Sequence, residues 1–267
     1  MLMLTHAWLL DRFLGARCFD PENQDLYLYN ICPDFLPIHR CFTSDITHGV
    51  SRFRNLSVRH AKAAFIHFHL MVDDISHHGT IDRVPVKDFN PDSQGYTYLK
   101  GRPLLGAIKD LYARQNRPID HATASYRSHM LIEMTFDLAL YQGLSAEGKD
   151  LLLFMCDAMQ SLKGERLREF ADTVGWFYDA DPAAVGEAMG MCAPFYTPER
   201  MNEFMSLDGR IKVFLRKFGL DASNRAAYKT LEGIMDQGMD LVCDYEAFLD
   251  PTLDAIQKVG FNPNRGC

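Results

Sequence analysis

Apolar residues recur at three- and four-residue intervals over most of this chain, and no stretch alternates with the period of two that a strand needs. The pattern predicts an all-α fold. Leu4 to Leu14 reads as a first helix, interrupted on its polar side by Asp11 and Arg12. Residues 20–55 are richer in Pro, Asn and Asp and predict irregular chain with short helical turns. The run AKAAFIHFHLMVDDISHH predicts a long, nearly all-apolar helix over 57–78, capped by Ser57 and stopped by Gly79. Residues 80–100, with Pro85, Pro91 and Gly95, predict a long loop. Helices follow over 103–115 and from Asp120 to Gln142, the second ending at Gly143. Further helices are expected over 145–175, 181–191, 197–218 and 222–248. Neither an internal repeat nor a low-complexity tract divides the chain, so residues 1–267 are expected to form one all-helical domain.

Composition narrows the class. With 47% hydrophobic and 24% charged residues, the 267-residue chain can build a core without disulfide staples. Its seven cysteines include no C-x-x-C pair, which predicts reduced thiols packed as small hydrophobes, not a disulfide framework or a thiolate zinc site. The net charge of −7 disfavours a duplex nucleic acid as partner. No apolar run reaches the length of a membrane span, and the start MLMLTHAWLLDRFLG lacks the parts of a secretory signal. A cytoplasmic protein is the expectation.

The histidines carry the chemical signal. All ten lie within the first 129 residues, and residues 130–267 hold none. His69, Asp73 and His77 stand four residues apart, which puts three ligand-type groups on one face of an otherwise apolar helix. Burying them there is costly unless something compensates, and a divalent cation does so. His129 and Glu133 repeat the spacing, with Asp137 one turn further on. Asp34 follows Pro33, His48 comes fourteen residues later, and His6 adds an imidazole near the start of the first helix. His39, His60 and His121 have no such spacing and read as core or surface residues. His67 and Asp74 read as flanking groups that orient ligands. Tyr27, Tyr29, Phe35, Phe53 and Phe65 read first as core, and Asp172, Asp179 and Asp181 as solvated or capping residues.

The ordered series His6, Pro33-Asp34, His48, His69-x3-Asp73, His77 and His129-x3-Glu133 resembles the zinc-dependent phospholipase C family and the related single-strand-specific zinc nucleases. The resemblance covers residues 1–142, and 143–267 would be additional helices. It implies a helical bundle of the phospholipase C type, with His6, Asp34, His48, His69, Asp73, His77, His129 and Glu133 as metal ligands. Either His77 or His78 fills the position of the last histidine before the His-x3-Glu pair. It also implies two or three divalent transition ions, zinc foremost, with iron or manganese also suited to nitrogen and oxygen donors. Asp34 would lie nearest the attacking water, and the substrate would be a small-molecule or lipid-like phosphoester. The roughly fifty residues between His77 and His129 exceed the family's spacing and would cover the site as a lid. Two other readings compete: a helical metal-binding protein without catalysis, and a hydrolase of the acyl-carrier-protein phosphodiesterase or HD type.

Overall fold

A computed structural model of the chain describes residues 2–15, 20–85 and 89–262. These residues are helical throughout their ordered elements, and no strand occurs among them. In chain order the helices are α1 (Met3–Leu14), α2 (Gln24–Phe35), α3 (Ser44–His48), α4 (Ala64–His78), α5 (Tyr96–Gly101), α6 (Leu105–Ala113) and α7 (His121–Gly143). They continue as α8 (Ala146–Ser161), α9 (Gly164–Tyr178), α10 (Pro182–Cys192), α11 (Pro198–Phe204), α12 (Leu207–Lys217), α13 (Arg225–Leu241) and α14 (Glu246–Lys258). Among the described residues no helix is long and apolar enough to cross a membrane.

Two helices form the centre. Every residue of α4 from Ala64 to Asp74 is buried, and α7 is buried almost continuously from Ser128 to Leu138. A helix that is apolar all round must be covered all round. Accordingly α4 is wrapped by α1, α2, α5 and α14, while α7 meets α1, α5, α6, α12 and α13. One hydrophobic cluster runs from Leu4 in α1 to Ile256 in α14. On α7 the approach of α13 is closest at Gly238, where a Cβ would stand 2.8 Å from the Leu131 side chain. The two central helices are also the two that carry the spaced histidines and carboxylates.

Several boundaries differ from the pattern in the sequence. The segment expected to be irregular contains α2, a helix that ends in spite of its Asn and Asp content with a proline inside its last turn. Pro33 removes the N–H that would bond the Tyr29 carbonyl, and the Cys32 thiol donates to that carbonyl instead at 3.3 Å. The helix expected over 57–78 is α only from Ala64; before it lies a 3-10 segment, Val58–Ala63, kinked at His60 (φ −114°). Gly79 stops α4 as expected, at φ 83°. The loop expected over 80–100 contains α5 in its last part, and its residues 86–88 lie outside the described residues. The stretches 145–175, 197–218 and 222–248 each divide into two helices or run on into a second, at Leu162–Lys163, at Ser206 and after Leu241. Asp120 and Asp181 are N-caps, accepting from the backbone N–H of Thr123 at 2.7 Å and of Ala183 at 2.9 Å. Among the described cysteines none is in a disulfide; Cys18 and Cys267 lie outside the described residues.

Candidate metal centre

Five elements deliver eight side chains to one region. His69, Asp73 and His77 come from successive turns of α4, and His129 and Glu133 from α7. His6 lies in the first half of α1. Asp34 follows Pro33 at the end of α2, and His48 is the last residue of α3, whose start is capped by Thr43 accepting from the Ile46 N–H at 3.3 Å.

A first group joins His6, Asp34, His48, His69 and Asp73. Asp73 is its hub. One carboxylate oxygen stands 3.2 Å from His6 Nε2, and the other 3.3 Å from His69 Nε2 and 3.4 Å from His48 Nε2. Asp34 stands 3.5 Å from His48 Nε2 and 3.7 Å from His69 Nε2. These separations bear on two chemistries. Direct hydrogen bonds to a carboxylate fall at about 2.7–2.9 Å, whereas ligands held tetrahedrally at about 2.0–2.2 Å from one ion are spaced about 3.4 Å from each other. At 3.2–3.7 Å the first group is spaced so that it could hold an ion. Both ring nitrogens of His69 are buried without a hydrogen-bond partner among the described residues. A fully buried imidazole left so is costly, and an ion would satisfy it.

The second group is His77, His129 and Glu133. Here His77 Nε2 meets Glu133 at 2.7 Å, a direct hydrogen bond, so this group would have to open slightly to admit an ion. Buried His129 Nδ1 has no hydrogen-bond partner among the described residues. Its ring is stacked on Tyr98 (centroids 4.6 Å apart) and met edge-on by Tyr126. Of the two histidines that the spacing left open, His77 is the one that stands with His129 and Glu133. His78 borders the same cavity but belongs to neither group.

Electrostatics match these contacts. Burial works against charge on Asp34 and Asp73, but it is more than offset, for Asp34 by the imidazoles of His69, His48 and His6 and for Asp73 by the charge of the N-terminal amino group followed by the same imidazoles, so both carboxyls stay below the usual carboxylate range. Glu133 is also lowered despite its burial, by the charge of the N-terminal amino group first and then by His77 and His129. Burial depresses His69 to about 4 and His129 to about 3, which keeps both neutral with lone pairs available. His48 goes the other way: despite burial, Asp34 and Asp73 raise it to about 10. Its Nδ1 faces the Ser44 carbonyl at 3.1 Å, which leaves Nε2 as the nitrogen turned to the two carboxylates. An ion bound there would displace a proton from His48.

Two buried ion pairs hold this arrangement, and neither was legible as a pair in the sequence. Arg52 grips Asp74 through two bonds of 2.9 and 2.7 Å. It also donates to the carbonyls of His48 (2.7 Å) and Val50 (2.5 Å), tying the segment that carries His48 to α4. Asp137 accepts from the Leu4 N–H at 3.3 Å, from the Thr5 N–H at 3.0 Å and from the Thr5 hydroxyl at 2.6 Å. It thereby caps α1 from α7, next to His6, and pairs with Arg210 of α12 at 3.2 Å. The flanking role expected for Asp74 is therefore played through Arg52. His67 packs edge-on against Phe177 instead.

The remaining histidines stay apart from the two groups. His39 meets Glu187, His60 stacks on Trp176 and meets Thr173, and His121 is near Asp92 at the surface. Tyr27, Tyr29, Phe35 and Phe65 are buried, and Phe53 is exposed. Both groups open on a cavity of about 1350 Å³. Phe89 and Tyr98, from the segment expected to cover the site, border that cavity, and so do residues of α11 and α12. Comparison with protein-family models, with curated proteins and with solved structures finds no match to this chain.

Proposed function

We propose that this chain is a metal-dependent hydrolase of phosphate esters with a di- or trinuclear centre of the zinc type. The observation that carries the proposal is the 3.2–3.7 Å spacing of imidazole nitrogens and carboxylate oxygens around Asp73, beside a buried His69 whose ring nitrogens have no hydrogen-bond partner among the described residues. His6, Asp34, His48, His69 and Asp73 would hold one or two ions, and His77, His129 and Glu133 another. The order of these residues along the chain, with its resemblance to zinc-dependent phospholipases C and single-strand-specific zinc nucleases, supports the same reading.

Bound divalent ions would supply Lewis-acid charge that acidifies water and offsets charge on the phosphoryl oxygens. The chain's own residues do the rest. Asp34 is the accessible carboxylate of its group, with 32% of its side chain exposed against 6% for Asp73. It is kept ionised and faces the cavity, so it can orient an attacking water and accept its proton. Hydrolysis then forms a bond from the water oxygen to phosphorus, breaks the ester P–O bond and leaves a proton on the departing oxygen. Tyr98, stacked on His129, would hold that imidazole in place.

The test is hydrolysis of bis(4-nitrophenyl) phosphate by protein loaded with zinc, iron or manganese, before and after chelation. Activity should disappear on chelation, return with metal, and fall at least about a hundredfold in Asp34→Asn. Activity that survives rigorous metal removal contradicts the proposal.

A further inference from the structure

The cavity is larger than a single phosphoester group needs. At about 1350 Å³ it exceeds the ~300–1,000 Å³ of ordinary small-molecule sites. The carboxylates and imidazoles make only part of its lining. Another part comes from α11 and α12, a region whose sequence carries no recognisable motif. It presents four cations: Arg200, Lys212, Arg216 and Lys217. Lys212 is neutralised by Asp208 at 2.7 Å. Arg200, Arg216 and Lys217 are exposed and form no ion pair among the described residues. Cations in the last turn of α12 favour the helix dipole, which accounts for their presence in that turn. It does not account for their opening, with Arg200 of a different helix, into the cavity shared with the candidate metal centre. Lys217 reaches the helix that carries the second group: its ammonium is 3.9 Å from the sulfur of Met130, the neighbour of His129. Phe195, Phe204 and Val213 add apolar surface to the same lining, and Glu203 of α11 adds a carboxylate 3.8 Å from Lys212.

We infer that Arg200, Arg216 and Lys217 bind a second anionic group of the substrate, so that the substrate is a phosphoester carrying another phosphate or carboxylate beyond an apolar spacer. The inference rests on the metal-centre reading above and narrows its substrate class. One phosphoryl group would sit at the histidine and carboxylate groups, and the distal anion would take charge-assisted hydrogen bonds from the guanidinium and ammonium groups.

Calorimetric titration of metal-loaded protein with alkyl monophosphates and with alkanediol bisphosphates from butane to decane tests it. Metal content is measured on the same samples. At least one bisphosphate should bind about tenfold or more tightly than the matching monophosphate, the equivalent of one charge-assisted bond. That ratio should fall toward one in Arg216→Gln/Lys217→Gln, and separately in Arg200→Gln, with metal content unchanged. All three positions are at the surface, so the variants test the anion site and not the core. A ratio near one at every chain length in metal-loaded protein overturns this inference alone, as does a ratio that the variants leave intact. Protein that takes up no metal overturns the reading beneath it as well.

Discussion

Asp137→Asn tests how the C-terminal helices support the candidate metal centre. Asp137 and Arg210 are both fully buried. The carboxylate accepts three bonds from the start of α1 and pairs with Arg210, whose Nε and Nη1 have no hydrogen-bond partner among the described residues. Asparagine keeps the shape but turns an NH2 toward donors on one side. It leaves the guanidinium with the sulfur of Met205, 3.2 Å from Nη2, and the face of Phe204, 3.8 Å away, neither of which carries a compensating charge. Stranding a buried charge costs about 3–5 kcal/mol, and leaving a buried donor unsatisfied costs about 1–3 kcal/mol. Allowing for overlap, a loss of about 4–6 kcal/mol is expected, a large part of the ~5–15 kcal/mol that stabilises a typical domain. Arg210→Met should cost less, about 2 kcal/mol, because Asp137 keeps its three donors and burial already favours its neutral form. The double variant should recover at least about 1.5 kcal/mol of the summed losses. Urea unfolding of metal-free protein, followed by circular dichroism with the slope checked for constancy, gives all three values. A loss below about 1 kcal/mol for Asp137→Asn, or strict additivity with Arg210→Met, refutes the stated role of this pair.

Other expectations follow from the same contacts. Arg52→Lys replaces a two-bond grip on Asp74 with a single point charge. It should destabilise the chain by about 2–4 kcal/mol and weaken metal uptake through His48; unchanged metal affinity would separate Arg52 from the centre. The pH dependence of metal-free protein should be two-sided. Burial lowers His67 and His69 to about 4 and His129 to about 3, so between pH 6.5 and 4 the unfolded chain binds protons that the folded chain refuses. Stability should therefore fall as pH drops through that window, by up to about 4 kcal/mol per pH unit if all three act together. His48, raised to about 10 by Asp34 and Asp73, binds its proton more tightly when folded. Its contribution is complete below about pH 6.5 and is lost as pH rises toward 10. Unfolding free energies that are flat from pH 4.5 to 9 would contradict both assignments.

The sequence shows the parts of the site that lie along single helices. His69, Asp73 and His77 share a face because four residues make slightly more than one turn, and the same rule joins His129 to Glu133. An apolar helix carrying such groups had to be central, and α4 is buried from Ala64 to Asp74. Groups that depend on tertiary packing were not legible in this way. Asp137 reads as one more carboxylate on α7, and only the fold brings Arg210 and the N–H groups of Leu4 and Thr5 to it. Arg52 gives no sign of its partner across 22 residues. Helix α2 was hidden by Pro33, which normally breaks a helix; here the Cys32 thiol occupies the carbonyl that the proline leaves without a donor. The cations of α12 lie at ordinary helical spacing, and nothing local to them says that they face the same cavity as His77 and Glu133.

The most direct measurement is metal content by mass spectrometry on protein purified without an affinity tag or chelator, and again after incubation with zinc, iron and manganese. About two to three equivalents per chain should be retained or taken up, falling by about one or more in folded His69→Gln and Asp73→Asn. Folded protein that neither retains nor takes up any of these ions would mean that the eight histidines and carboxylates satisfy one another, and that no metal centre exists.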